Sequence, residues 1–186
     1  QAGGTLLLNR GDNSGLVLTL GTPTNTSIPI GRGGSGVALT IAATDGFSGL
    51  GTSEIINFEG TGAVVPGTTP SATALYYNTS GGIISPWLVA QNAAPGSTLN
   101  GTFLTYSGTG SGNSAGVGSD AGLIAYTFSN TASTSWTSSS VQQLGSGTTT
   151  LTGATSLDAL QIDNGYDGNT GALALNGNTL TFGASV

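Results

Sequence analysis

The amino-acid sequence predicts an all-β fold, and three observations support that prediction. Short apolar or β-branched runs recur along the 186 residues, separated by clusters of Gly, Asn, Asp and Ser. No amphipathic helix stands out, because Glu is scarce, Lys is absent and the 33 glycines interrupt every long window. Hydrophobic residues make up 37% of the chain and charged residues only 5%, so the chain can bury a core. Short strands spaced by roughly 8–12 residues are typical of all-β proteins.

The predicted strands follow in order along the chain. Four runs rich in Leu, Val, Ile and Thr come first, at 6–8, 16–20, 37–42 and 54–58. Four runs that include aromatic residues follow, at 74–77, 83–90, 103–106 and 123–128. The last five are short Leu, Val, Ile, Ala, Phe and Thr runs, at 141–144, 148–151, 159–162, 173–175 and 179–182. Gly-Asp, Asn-Gly, Gly-Gly, Ser-Gly and Asp-Gly pairs between them predict turns.

These strands could form a sandwich, a barrel or a solenoid. Asn176-Gly177-Asn178 is compatible with a hairpin turn between the last two strands. It is equally compatible with the corner of a solenoid coil, where Asn and Gly supply positive φ. The loose rhythm of strand, corner and strand in the C-terminal half favours stacked coils, each stable only against its neighbours. The sequence therefore predicts one β-solenoid domain over residues 1–186, with a β-sandwich as the alternative.

One family shares several of these segments. Residues 81–89, Gly-Gly-Ile-Ile-Ser-Pro-Trp-Leu-Val, resemble the Gly-Ile-Ile-x-x-Trp signature of autotransporter-associated β-strand repeat proteins. Segments 102–106, 122–127, 150–152, 156–162 and 175–181 resemble later strands of that family in the same order, and 55–62 fits the same frame. The resemblance implies a right-handed parallel β-helix, with irregular β insertions allowed, in a long secreted bacterial protein. It also implies an adhesin, passenger or surface scaffold, and it carries no catalytic residue.

The composition excludes several kinds of partner. The net charge is -6, and Arg10 and Arg32 are the only cationic residues. We therefore expect no binding to nucleic acid or to an anionic membrane surface. No apolar run approaches the roughly 20 residues that cross a bilayer, which predicts no membrane insertion. The absence of Cys and His removes disulfides, thiolate sites and a neutral-pH base. The chain starts with Gln1 and without a signal-like segment, so we expect a mature or internal piece of a longer secreted precursor.

Two short motifs resemble known binding sequences. Arg10-Gly11-Asp12 spells the integrin-recognition tripeptide, but it lies in a polar turn, and we interpret it as a chance match at a solenoid corner. Residues 31–36, Gly-Arg-Gly-Gly-Ser-Gly, precede a predicted strand. A phosphate-binding loop needs a Lys and then a Ser or Thr that opens a helix, so we discard this function.

The acidic loop at 163–169 could hold a cation. Asp163, Asn164, Asp167 and Asn169 offer oxygen ligands on a Gly-rich loop, as Ca²⁺ prefers. The spacing matches neither an EF-hand nor a Ca²⁺-binding β-roll. A loop of Asx turns and a weak Ca²⁺ site both remain open, and we assign no metal or cofactor.

Paired carboxylates raise the question of an enzyme. Glu54 with Glu59, and Asp158 with Asp163, are close enough in sequence to suggest a glycosidase pair. Residues five apart in a strand point to opposite faces, however, and no Lys or His base accompanies the abundant Ser and Thr. We therefore predict that the chain is not an enzyme.

Aromatic, threonine and asparagine residues complete the candidates. Trp87 lies in an apolar run and is expected in the core or a cap, whereas Trp136 lies in a polar stretch and is the better candidate for exposure. A sugar-stacking platform could add the tyrosines Tyr76, Tyr77, Tyr106, Tyr126 and Tyr166. Thr-Leu-Thr at 150–152 and 179–181 resembles ice-binding rows, which would need register on successive coils. The Asn-x-Ser/Thr sequons begin at Asn25, Asn78 and Asn100 and predict surface turns.

These observations lead to an expected function. The strand-like ends at 4–8 and 180–182 carry no charge or Pro to block edge pairing. We expect a structural extracellular or cell-surface protein that self-associates, with head-to-tail copies or the rest of a longer chain as its partner, into a fibre or surface layer. The alternative is an adhesin segment that binds surface glycans through exposed aromatic residues.

Overall fold

The fold is all-β, as the sequence predicts. The computed structural model describes residues 3–21, 38–59, 64–65, 76–77, 82–94, 101–107, 122–162 and 170–182. Within these ranges there are fifteen strands, one 3₁₀ turn at Ser133–Ser135 and no α-helix. The strands are β1 (Gly4–Leu8), β2 (Leu16–Gly21), β3 (Leu39–Ala43), β4 (Glu54–Glu59), β5 (Val64–Val65), β6 (Tyr76–Tyr77), β7 (Leu88–Asn92), β8 (Gly101–Ser107), β9 (Gly122–Ala125), β10 (Val141–Leu144), β11 (Gly147–Thr150), β12 (Thr155–Leu157), β13 (Ala159–Ile162), β14 (Gly171–Ala174) and β15 (Leu180–Phe182).

The first four strands pair in parallel and in order. β1 pairs with β3, which places Leu6 opposite Ile41, and β2 pairs with β4, which places Leu18 opposite Ile56. β7 continues the first sheet on the other edge of β3, also in parallel. The short strands β5 and β6 form a separate parallel pair. Two consecutive strands thus pair with the next two in the same order.

An antiparallel segment follows β7. β8 pairs with β7 and β9 pairs with β8, both antiparallel, which completes a five-stranded sheet in the order β1-β3-β7-β8-β9. The start of β9 lies directly against β4. A Cβ atom on Gly122 would lie 2.2 Å from the carbonyl oxygen of Ile56, and Gly122 also has a φ of 68°. Only glycine meets both conditions without strain.

The C-terminal strands repeat the parallel pattern with three strands. β10, β11 and β12 pair with β13, β14 and β15 respectively, and every pair is parallel. The first residues of the three pairs are opposite one another: Val141 and Ala159, Gly147 and Gly171, Thr155 and Leu180. Each pair is a separate two-stranded sheet, so the chain turns from one sheet to another after every strand.

Three groups of buried side chains hold these sheets together. The largest lies under the N-terminal sheets and includes Leu8, Ile41, Ile56, Leu88 and Leu104. A second, of Ile83, Phe103, Val141 and Ala159, joins the antiparallel strands to the C-terminal pairs. The third is enclosed by the C-terminal pairs and contains Trp136, Leu144, Leu151 and Leu157. Each fully buried Leu or Ile contributes about 1.5–3 kcal/mol relative to exposure.

The segment at 176–178 is a turn between sheets. β14 and β15 belong to different two-stranded sheets, so the hairpin alternative is wrong. Asn176 and Gly177 have φ values of 50° and 76°, and the N–H of Asn178 donates to the carbonyl oxygen of Leu175 at 2.9 Å. Asn and Gly therefore supply the positive φ that the corner interpretation expected.

The predicted strand at 83–90 is only partly correct. The observed strand begins at Leu88, and the residues before it form a turn in which the Leu88 N–H donates to the Ser85 carbonyl at 3.2 Å. Pro86 has no N–H to give to a ladder, which explains the delayed start. Ile83 and Ile84 are nevertheless buried, so the apolar run marks the core correctly. The predicted runs do not include β5, and β12 is covered only by the segment 156–162 that resembles the family.

Candidate functional site

The described residues contain a buried carboxylate at the start of β4. Glu54 has 0% of its surface exposed. The Thr44 hydroxyl donates to its Oε1 atom at 2.6 Å, and the Asp45 N–H donates to its Oε2 atom at 3.0 Å. Both carboxylate oxygens therefore accept a hydrogen bond from the turn that follows β3. A buried polar group normally needs such partners.

A second carboxylate joins the turn after β1 to the turn after β3. The Oδ2 atom of Asp45 accepts hydrogen bonds from the Ser53 hydroxyl and from Nε of Arg10. The same guanidinium donates to the carbonyl oxygen of Asn13. The pKa of Asp45 lies below its ordinary value, because Ser53 and then Arg10 donate hydrogen bonds to the ionised form. We call Arg10, Thr44, Asp45, Ser53 and Glu54 the polar cluster.

The polar cluster bears on the hypothesis of paired catalytic carboxylates. Glu54 and Glu59 are the first and last residues of β4, and the side chain of Glu59 lies outside the described set. Glu54 uses both oxygens to hold the neighbouring turn. Asp158 is buried. The pKa of Tyr126 is raised, first by the burial of Tyr126 and second by the charge of Asp158. Asp163 lies outside the described residues. This arrangement supports a role of Glu54 in fastening turns together.

The integrin-type tripeptide is part of a folded turn. Arg10 is bound to Asp45 and Asn13, so its guanidinium is held against the protein. Gly11 has a φ of 58°, and its N–H donates to Oδ1 of Asn9 at 2.9 Å. These contacts agree with the interpretation of the motif as a turn.

The expectation that Trp136 is exposed is wrong. Its side chain is only 8% exposed and packs with Leu144, Leu151 and Leu157. Its Nε1 atom donates to the Thr131 carbonyl at 3.1 Å, so the indole is buried with its donor satisfied. The polar neighbours of Trp136 in sequence misled the prediction, because the residues that cover it come from further along the chain. Trp136 therefore cannot supply the proposed sugar-stacking face.

Among the described side chains, no other aromatic residue belongs to the apolar group of Trp136. Trp87 is half-buried and packs against the largest core group, which agrees with the expected core or cap position. Tyr106 is buried, and Tyr126 is half-buried with its ring edge-on to Phe128 at 5.3 Å between centroids. The side chains of Tyr76 and Tyr77, and the whole of Tyr166, lie outside the described set.

The threonine rows do not align in the described strands. Thr150 lies opposite Ala174, and Thr181 lies opposite Ser156. The Thr-Leu-Thr segments at 150–152 and 179–181 are therefore not neighbours in register. This arrangement does not make the flat threonine array that an ice-binding face would need.

Several predicted sites lie outside the described residues. These are Asp163, Asn164, Asp167 and Asn169 of the acidic loop, the Gly-rich segment at 31–36, and the sequon residues Asn25, Asn78 and Asn100. Where the structure does describe the chain, no group of three or more acidic, His or Cys side chains could hold a metal ion.

Exposed apolar side chains lie on or beside strands that have a single partner strand among the described residues. Five large hydrophobic residues in the described part are strongly exposed, from 46% for Leu175 to 60% for Val17. Four lie in β1, β2, β13 and β15, and the fifth directly follows β14: Leu7, Val17, Ile162, Phe182 and Leu175. All these strands have only one partner strand among the described residues. Sequence reasoning singled out the segments at 4–8 and 180–182 as lacking charge and Pro, but it did not identify Val17, Ile162 and Leu175.

No family model, curated protein or solved structure matches the chain. Among the described residues, no helix is long and apolar enough to cross a membrane.

Proposed function

We propose that this chain is a segment of a structural β-solenoid, a parallel β-helix whose coils stack and whose ends associate with further copies. The observation that carries the proposal is the pairing of three consecutive strands, β10 to β12, with the next three in the same order and in parallel. In a solenoid, each coil adds one strand to each sheet, so strands of successive coils pair in this order.

The N-terminal strands support the same architecture. β1 and β2 pair in order and in parallel with β3 and β4. The antiparallel strands β8 and β9 separate the two parallel regions, as an irregular β insertion between coils would. The right-handed path of the helix is part of the proposal and derives from the resemblance to autotransporter-associated repeats.

The interior of the C-terminal pairs supports a scaffold. Leu151 and Leu157 are completely buried, and Trp136 and Leu144 close the same apolar group. A solid interior of this kind resists bending, because packed side chains leave no room for the sheets to slide. We propose that the stiffness of stacked coils is the property that the protein supplies.

The proposed setting is a bacterial cell surface or the extracellular space. The chain has no Cys, Met, His or Lys, and its polar residues are mainly Ser, Thr and Asn. Only 5% of the residues are charged, so repulsion between copies is limited to a net charge of -6 per chain. This composition therefore favours a fibre or surface layer built from copies of the chain.

Negative-stain electron microscopy of the purified chain near neutral pH tests this function. We expect regular filaments or sheets whose amount grows with protein concentration. Isolated particles at every concentration would contradict self-association and would direct attention to the adhesin alternative. A glycan array then tests that alternative, since a pure scaffold binds no glycan.

A further inference from the structure

The C-terminal parallel pairs have two different ends. On their early edge, the strands β10 and β11 are contacted by the preceding segment. Asn130 accepts the N–H of Gln143 through Oδ1 at 2.9 Å, and the Ser133 hydroxyl donates to the Thr150 carbonyl at 3.1 Å. Trp136 lies buried in the apolar group on this side. Backbone groups of β10 and β11 that β13 and β14 do not use are thus satisfied within the chain.

Within the described residues, their late edge, formed by β13, β14 and β15, has no further partner strand. Each of these strands has a single partner strand in the part of the chain that the structure describes. Ile162 is 48% exposed and Phe182 is 53% exposed on these strands, and Leu175 is exposed directly after β14. The same region therefore has both unpaired strand edges and exposed apolar side chains.

The early edge of the N-terminal strands, formed by β1 and β2, likewise has no earlier partner strand among the described residues. β1 and β2 pair only with later strands, β3 and β4, in the described residues. They expose Leu7 and Val17. β13, β14 and β15 pair only with earlier strands. Among the described residues, β1 and β2 thus lack a partner from an earlier coil, and β13, β14 and β15 lack a partner from a later coil.

Nothing on these five strands opposes edge-to-edge pairing. Their sequences contain no charged residue and no Pro. Proteins usually protect an exposed edge with Lys, Pro or a bulge, because an unprotected edge recruits another strand. An edge that keeps exposed apolar side chains and lacks such protection is suited to permanent pairing.

We propose that the late edge of one copy, β13 to β15, pairs in parallel with the early edge, β1 and β2, of a second copy. This contact extends from one copy to the next the parallel order of strands that is present within each chain. It is a head-to-tail contact, because each copy presents two different surfaces, and it therefore extends into a filament. This proposal rests on the proposed function and specifies the surfaces that self-association uses.

Two blocked variants test the assignment. The early-blocked variant carries Leu7→Lys and Val17→Lys, and the late-blocked variant carries Ile162→Lys and Phe182→Lys. All four positions are strongly exposed, so the substitutions leave the core intact. Thr127→Lys with Ser138→Lys is the charge-matched control, at two exposed positions outside the strands. Far-ultraviolet circular dichroism verifies that each variant keeps its β content.

Sedimentation velocity of the variants, alone and mixed, gives the decisive result. We expect the wild type and the control to form large assemblies and each blocked variant to remain monomeric alone. An equimolar mixture of the two blocked variants should give dimers and nothing larger, because one open early edge meets one open late edge.

Three outcomes would overturn the assignment. Dimers of the early-blocked variant alone would show that late edges pair with each other. A mixture that stays monomeric, although both variants are folded, would show that these edges do not meet. Wild-type-like assembly of both blocked variants would refute these surfaces while leaving self-association intact. A wild type that is monomeric at every concentration would instead contradict the proposed function itself.

Discussion

Replacing Gly171 with Ala tests the packing of the C-terminal sheets against one another. Gly171 is buried at the start of β14, next to the end of β10. A Cβ atom there would lie 1.9 Å from the carbonyl oxygen of Leu144 and 2.6 Å from its carbonyl carbon. Ordinary contacts of a Cβ atom begin near 3.4 Å, so backbone atoms would have to move. The obstacle cannot rotate away, because Leu144 is held in the pairing of β10 with β13.

The expected cost of this substitution is large for a single methyl group. Overpacking of a core costs about 1–3 kcal/mol and sometimes more, and a backbone obstacle places Gly171→Ala at about 3 kcal/mol. With a urea m-value of about 1–3 kcal/mol per molar, the unfolding midpoint should fall by about 1–3 M. Gly145→Ala and Gly153→Ala are matched controls, since no heavy atom lies within 4 Å of the added carbon at either position. Both should change stability by less than about 0.5 kcal/mol.

Urea unfolding followed by tryptophan fluorescence measures these differences. Buried Trp136 reports on the C-terminal apolar group, and the experiment is run at a concentration below the onset of assembly. If Gly171→Ala unfolds at the same urea concentration as Gly145→Ala, the close approach of β14 to β10 does not exist. The stacking of three parallel pairs would then be wrong.

Three further predictions concern Glu54, Asp45 and Trp136. In urea unfolding, Glu54→Ala should lower the free energy of unfolding by about 3 kcal/mol, because it leaves the Thr44 hydroxyl and the Asp45 N–H without an acceptor. Glu54→Gln keeps an acceptor and should cost only about 1 kcal/mol. The lowered pKa of Asp45 means that its stabilising contribution is present above the ordinary value of 3.8 and is lost as the pH falls through the lower folded value. The melting temperature of the wild type should therefore fall more steeply below about pH 4 than that of Asp45→Asn, and parallel curves would refute this contribution. Trp136→Ala should lower the free energy of unfolding by about 3–5 kcal/mol. Trp136→Phe should lower it by only about 1 kcal/mol, through loss of the hydrogen bond to Thr131. Equal losses for the two variants would show that the ring is not packed.

The sequence was sufficient to predict the class of the fold. Strand-like runs at 16–20, 54–58 and 141–144 correspond closely to β2, β4 and β10, because local alternation and turn residues determine where strands begin and end. The turn at 176–178 was also foreseen as one of two alternatives. The structure decided between them, because hairpin and corner use the same residues and differ only in the partner of each strand.

The exposure of individual side chains could not be predicted as well. Residues 6–8 are three consecutive leucines. Leu8 is buried and Leu7 is exposed, because alternate residues of a strand face opposite sides of the sheet. Trp136 was expected at the surface from its Ser-rich neighbours, but Leu144, Leu151 and Leu157 cover it. The hydrogen-bond partners of Glu54 could not be predicted from the sequence either, since Thr44 and Asp45 reach it only after the chain turns between β3 and β4.

Nuclear magnetic resonance of the isotopically labelled chain tests the central claim most directly, at a concentration below assembly. If three consecutive strands stack on the next three, inter-strand Overhauser contacts should join Val141 with Ala159, Gly147 with Gly171, and Thr155 with Leu180, all in the parallel pattern. Antiparallel contacts between residues 171–174 and 180–182, as in a hairpin, would contradict the stacked arrangement. The proposed solenoid and its open late edge would then both be wrong.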